Sequence, residues 1–421
     1  MKNIYQSYIE ILKKELIPAM GCTEPIAIAY AAASAKEVLG TYPDRIDVYC
    51  SGNIIKNVKS VVVPHSGGKK GIQIAALLGA FYGNANKKLE VIADISQQEI
   101  ETLDEIMNAT KVIVHSLESD HILDIEMHLY HKDDEVIVCI NDSHTNITCI
   151  KKNNEFIYQN TSQNFISQEI DYSILNVEDI YDFSTNVNIE KVKDIINRQI
   201  EYNMAIAKEG MNHSYGARIG QIIALENDSM KTQAKAYAAS ASDARMGGCE
   251  MPVVINSGSG NQGITASVPV VVYGHYYHKS EEEIIRALLC SNLITLHLKS
   301  GIGRLSAYCG AVSAGVGAGA GIAYLLTKDL RTINHTIVNA IAISSGIVCD
   351  GAKASCAAKI AMAVESGIFG YEMFKQGSQL RAGEGLVSKG VENTIHNISR
   401  LGHDGMKSTD KEIISIMIES M

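Results

Sequence analysis

Residues 307–326, "AYCGAVSAGVGAGAGIAYLL", carry no charged side chain over twenty positions. A helix of that length would cross a bilayer. The segment is built mainly from Ala, Gly, Ser and Val, whereas membrane spans are rich in Leu, Ile and Phe. Small side chains supply little insertion energy but let helix backbones approach closely. The segment therefore predicts a helix buried in a tightly packed helical core. Its neighbours have the same character: "IEKVKDIINRQIEYNMAIAKEG", "KTQAKAYAASASDARMGG", "EEEIIRALLCSNLITLHLKS", "HTIVNAIAISSGIV" and "CAAKIAMAVESGIFGYEMFKQG" all read as helices rich in small residues. The C-terminal half is expected to be all-α.

The first half mixes element types. "MKNIYQSYIEILKKELIP" reads as an amphipathic helix, and "EPIAIAYAAASAKEVL" and "GIQIAALLGAFYG" as further helices. "DRIDVYCSGNIIKN" reads as a strand followed by a turn. From Lys111 on, short β-branched runs are split by polar turns, and "HKDDE" and "KKNNE" are hairpin signals. These features predict an antiparallel sheet with helices packed on it, an α+β unit. A polar connection, "DFSTNVNIEKVKD" at 182–194, separates it from the helical half. The expected domains are 1–195 and 196–421.

At 421 residues the chain is long enough for two domains with large cores. Its net charge of -10, with acids and bases interspersed, offers no basic stripe for nucleic acid. No signal-peptide pattern opens it, so a cytoplasmic location is expected, with no membrane partner. Nine cysteines are an odd, scattered set. In a reducing compartment, use of a subset in metal binding or catalysis is favoured over disulfides, with the rest buried as small apolar side chains.

Four stretches could carry chemistry. In "AMGCTEPIAIAYAAA", Thr23 reads as an N-cap and Pro25 suits the first helical turn. Cys22 then precedes a helix N-terminus, whose N–H groups and dipole favour a thiolate. A buried cysteine beside a cap is the competing reading. In "VINSGSGNQGITASVPVVV", the loop Ser257, Gly258, Ser259, Gly260 and Asn261 can present backbone N–H groups to a carboxylate or phosphate, though it has neither Walker nor Rossmann spacing. The others are Cys309-Gly310 and "CDGAKASC", with Cys349 and Cys356 seven apart. That spacing fits neither a zinc ribbon nor a thioredoxin motif. Cys309, Cys349 and Cys356 together could hold an iron–sulfur cluster with one iron lacking a protein ligand. On the spacing alone, three unrelated core cysteines are the slightly favoured reading.

Taken together, "GCTEP", "SGSGNQG", Cys309-Gly310 and "CDGAKASC" resemble the L-cysteine desulfidase family (UPF0597), and more distantly the iron–sulfur L-serine dehydratases. The resemblance covers nearly the whole chain. The dehydratases carry a Gly/Asn-rich loop, a Cys, a Cys-Asp about forty residues on, and another Cys. Here Cys309 and Cys349 are forty apart and Cys349-Asp350 is the Cys-Asp. The last interval is shorter than in the dehydratases and matches the desulfidase branch. "GCTEP" stands where the dehydratases have a Ser/His/Thr stretch.

The resemblance implies that Cys309, Cys349 and Cys356 bind a [4Fe–4S] cluster and that Cys22 is the proton acceptor. It also implies a dehydratase-β-like domain over the first 195 or so residues and a dehydratase-α-like cluster domain over the rest. The implied reaction converts L-cysteine to sulfide, ammonia and pyruvate without pyridoxal phosphate. The Ser257–Asn261 loop is the candidate for the substrate carboxylate. Lys353 and Arg304, near cluster cysteines in sequence, are candidates for neutralising charge. The alternatives are L-serine dehydration by the same chemistry, a non-catalytic cluster-based sensor, and a membrane protein. The tight Ala/Gly helical half is compatible with a homodimer.

Overall fold

The computed structural model describes residues 2–119, 121–160, 171–303 and 306–419. The first half is α+β and the second almost entirely helical. Strands β2 (Arg45–Ser51), β3 (Lys111–Leu117), β4 (Asp124–His131), β5 (Asp134–Asn141), β6 (Ile147–Lys152) and β7 (Glu155–Gln159) form a six-stranded sheet in the order β3-β2-β4-β5-β6-β7. The remaining two strands, β1 (Pro18–Met20) and β8 (Pro252–Val254), pair separately.

The expected antiparallel sheet holds from β2 through β4 to β7, while β2 and β3 run parallel, Arg45 opposite Lys111 and Ser51 opposite Leu117. Parallel neighbours need a long crossover, which the helices Gly52–Val58 and Ile72–Tyr82 supply. The first of these replaces the turn expected after "DRIDVYCS". Both hairpin signals form turns. Asn153 and Asn154 adopt positive φ between β6 and β7, as a tight two-residue hairpin requires.

The Thr23–Leu39 helix is apolar around most of its circumference and is buried along nearly its whole length. It packs on the Ile72–Tyr82 helix and on one face of β4 and β5, where Val136, Val138 and Ile140 are fully buried. The 182–194 stretch is more ordered than a connection. A Val177–Asn186 helix runs through its start, with Asn176 Oδ1 accepting the Asp179 N–H at 2.9 Å and Phe183 buried beneath. Polar composition concealed one buried apolar stripe.

The C-terminal helices Met230–Met246, Gly260–Tyr276, Glu281–Ile302, Gly310–Thr327, Leu330–Ser344 and Cys356–Lys375 pack against one another. Gly310–Thr327 is long and apolar enough to span a membrane, yet 83% of it is buried inside the protein. Its glycines set the spacing. A Cβ on Gly319 would lie 2.5 Å from the carbonyl oxygen of Gly367, in the Cys356–Lys375 helix.

The β1–β8 ladder ties the two halves together, with Pro18 opposite Val254 and Met20 opposite Pro252. Ile255 N–H extends the pairing to the Ile17 carbonyl at 3.0 Å. The ladder places "GCTEP" directly beside "SGSGNQG".

Candidate active site

Four helix N-termini meet at one cavity. Cys22 is the N-cap of Thr23–Leu39, Ser259 of Gly260–Tyr276 and Cys309 of Gly310–Thr327, while Cys356 opens Cys356–Lys375. All four residues line the cavity, together with Cys349, Asn261 and Gln262. It holds about 100 Å³ of water-accessible space, room for several water molecules. Helix N-termini favour negative charge, so this arrangement suits thiolates and carboxylates.

Local structure explains the convergence. Cys309 N–H donates to the Ile347 carbonyl at 3.2 Å and Cys349 N–H to the Ala307 carbonyl at 2.7 Å. This short antiparallel bridge sets Cys309 and Cys349 side by side although forty residues separate them. Beyond it the chain turns at Gly351, with φ of +89°. A Cβ there would meet the Lys56 carbonyl oxygen at 2.1 Å. The turn brings Cys356 back, its thiol 3.6 Å from the Gly351 carbonyl. Cys22 packs with Val61 and Met246 in a cluster that Cys356 adjoins.

Thr23 is the first helical residue rather than the N-cap. Its hydroxyl donates to the Gly258 carbonyl at 2.9 Å, joining the two motifs, and to Glu24 Oε2 at 3.1 Å. Glu24 Oε2 also accepts from Cys22 Sγ at 3.4 Å. Burial opposes the charge on Glu24, but His144 and Arg245 hold its carboxyl down at about 2. His144 arrives from the β5–β6 turn, its Nε2 3.9 Å from Glu24 Oε1. The expectation of a thiolate at Cys22 meets opposing effects here. Burial, then Glu24, push the thiol up, while Arg245 pulls it down.

The cavity wall is rich in buried cations. Arg245 donates from Nε to the Gly21 carbonyl at 2.9 Å and from a terminal nitrogen to Asn261 Oδ1 at 3.1 Å. It approaches so closely that a Cβ on Gly260 would lie 2.3 Å from its Nε. Lys56 is paired with Asp410 at 2.6 Å, and Lys359 with Asp350. Lys299 is 3% exposed. Burial brings its ammonium down to about 8, against the pull of Cys349 and Cys309.

Ser259 and Asn261 of the predicted substrate loop line the cavity, and Gly260 supports Arg245. Ser257 and Gly258 do not line it. Ser257 opens onto a neighbouring pocket that shares Lys299, and its hydroxyl donates to Asn256 Oδ1 at 3.1 Å. Lys353 lies outside the lining and pairs with Asp350 at 2.5 Å. Arg304 lies outside the described residues. Sequence reading missed Glu24, His144, Arg245, Gln262, Lys56 and Lys299. Glu24 and Gln262 sat inside the quoted motifs. Lys299 is a lone charge in the apolar run "LITLHLKS", the one signal that could have exposed it.

Among the described residues, no three His, Cys, Asp or Glu side chains stand close enough for a single metal ion. A cubane separates its irons, so its cysteine ligands stand farther apart than the ligands of one ion. Three thiols on one cavity wall, surrounded by Arg245, Lys56, Lys299 and Lys359, fit such an anionic cluster. Burial pushes the Cys309 thiol up to about 12, with Cys349 adding to the effect, and burial also raises Cys356. These are thiols that gain from ionising only against a metal. Gln262 lines the same cavity, and its buried Oε1 has no hydrogen-bond partner among the described residues, which leaves an acceptor unused there.

Residues 86–415 match the serine dehydratase alpha chain family. The chain is 54% identical to a UPF0597 protein of Desulfitobacterium hafniense, over 98% of this chain and 97% of that one. It is 46% identical to a UPF0597 protein of Lachnoclostridium phytofermentans, over 99% of this chain and 100% of the relative. It is also 46% identical to one from Finegoldia magna, over 100% of both chains. The family match over residues 86–415 and the similarity to these relatives along almost the full length place this chain in the serine dehydratase alpha chain family, among the UPF0597 proteins.

Proposed function

We propose that the protein is a pyridoxal-phosphate-independent lyase that converts L-cysteine to sulfide, ammonia and pyruvate. The observation that carries this reading is the sharing of one cavity by Cys22 with Cys309, Cys349 and Cys356. The last three would hold a [4Fe–4S] cluster. Such a cluster, with one iron free of protein ligands, supplies Lewis acidity toward the substrate's carboxylate and departing sulfur.

The chain's own residues bind and move protons. Arg245, Lys299 and the N-terminus of Gly260–Tyr276 place positive charge where an amino-acid carboxylate would lie. Gln262 Oε1 offers an acceptor to the substrate ammonium. Cys22 Sγ, once ionised against Arg245 and its helix N-terminus, accepts the α-proton. With that proton on Cys22 and sulfur leaving as HS⁻, the remaining aminoacrylate tautomerises and hydrolyses in water.

The same chemistry on L-serine is the second reading, favoured by the serine dehydratase alpha chain match. Anaerobically reconstituted protein, assayed with both amino acids, separates the two. Sulfide release well above serine turnover is expected, and the reverse would reject L-cysteine as substrate. A bound cluster with neither activity would indicate a sensor. Cys22→Ala should retain the brown cluster absorbance and lose at least about a hundredfold in rate, the usual scale of a general base. Bleaching by Cys22→Ala would make Cys22 a ligand instead.

A further inference from the structure

Two cysteines belong neither to the cavity nor to the core. Cys139 on β5 and Cys149 on β6 stand directly opposite each other in antiparallel register. Val136, Val138 and Ile140 alternate with Cys139 and are buried against the Thr23–Leu39 helix. Cys139 therefore lies on the opposite face of the sheet, and its cross-strand partner shares that face. Both are free and half-buried, whereas Cys50, Cys249 and Cys290 are buried.

We propose that Cys139 and Cys149 form a reversible dithiol–disulfide site, oxidised by hydroperoxides and reduced by small thiols. Directly opposed residues in an antiparallel pair have Cα atoms about 4.5–5.5 Å apart, inside the span of roughly 4.4–6.8 Å that a disulfide bridges. The register thus places the two cysteines within the reach of a disulfide.

A hydroperoxide ROOH transfers one oxygen to one of the two thiols, giving a sulfenic acid and ROH. The opposite thiol then attacks that sulfur, forming the S–S bond and releasing water. Two small thiols restore the dithiol by exchange and leave as their own disulfide. The bond ties the two strands next to the turn that carries His144 to Glu24 in the cavity.

The test reads these two cysteines and is independent of turnover. Full-length, anaerobically purified protein is treated with hydrogen peroxide, alkylated with iodoacetamide and mapped by non-reducing mass spectrometry. We expect the Cys139 and Cys149 peptides to be joined within one chain, about one link per chain, and separated by dithiothreitol. In Cys139→Ser and in Cys149→Ser the link should be absent. The proposal is overturned if both wild-type thiols stay alkylatable. It is equally overturned if Cys149 goes to the sulfinic acid without a link, or if the link joins two chains.

Discussion

Gly351 shows how much one residue decides here. Its φ of +89° and the Lys56 carbonyl beside it leave no space for a side chain. Gly351→Ala should strain the turn that brings Cys356 back toward Cys349. The expected outcome is a reconstituted protein with clearly reduced iron and sulfide content, measured against wild type, and a stability loss of about 1–3 kcal/mol. Asp243 makes a different prediction. It is buried at the end of the Met230–Met246 helix and accepts the Gly220 N–H at 2.9 Å. Burial raises its carboxyl to about 6, although the backbone N–H groups of Gly220, Ala217 and Ile219 pull it down. In the unfolded chain it titrates near its ordinary value of about 3.9. Between those values the unfolded state releases its proton first, so wild-type stability falls as pH rises from about 4 through 6. Asp243→Asn removes that loss. Urea midpoints of the two proteins should diverge in favour of Asn between pH 5 and 7.5, by on the order of 1–2 kcal/mol. Parallel pH profiles would show that Asp243 does not titrate in this range.

At the scale of elements, the C-terminal Lys407–Glu419 helix latches the Gly52–Val58 helix onto the cavity. Asp410 pairs with Lys56 at 2.6 Å and accepts from Asn53 Nδ2 at 3.1 Å. Lys56 is only 1% exposed, so its charge depends on that partner. Asp410→Ala should cost about 3 kcal/mol in urea unfolding, the usual penalty for stranding a buried charge. Lys411→Ala, on the exposed side of the same helix, should stay within about 0.5 kcal/mol of wild type. Close helix packing works by another means. Gly315 and Gly319 face Ala363 and Gly367 so tightly that a Cβ at either position would contact backbone. Composition alone foretold this small-residue contact, because only such side chains allow it. The polar 182–194 stretch begins inside a helix because Ile180 and Phe183 give Val177–Asn186 one buried apolar stripe.

At the scale of the molecule, the cavity has walls from both halves of the chain: Cys22, Glu24, Lys56 and Asn57 from the first, Arg245, Lys299 and the three candidate ligands from the second. A group bound there stabilises the folded state that holds both walls together. Reconstituted protein should therefore unfold at least about 2–4 °C above its iron-free form. Cys349→Ala should abolish that difference in differential scanning calorimetry while its own iron-free form unfolds normally. Equal transitions for the loaded and iron-free wild type would mean that whatever binds iron lies elsewhere.

The sequence by itself determined the long apolar helices, the two hairpins and the four motifs, because each rests on local periodicity, turn chemistry or spacing, but not the Gly52–Val58 and Val177–Asn186 helices. It also brought Cys22, Cys309, Cys349 and Cys356 forward as candidates, through motif resemblance rather than geometry. Tertiary structure decided what surrounds them. The parallel β2–β3 pairing, the His144–Glu24 contact, the ring of Arg245, Lys56 and Lys299, and the facing Cys139 and Cys149 all join residues far apart in the chain. A lysine or histidine looks the same in sequence whether it is solvated or buried. Only packing removes the water that would otherwise screen its charge, and that removal turns an ordinary side chain into part of a site.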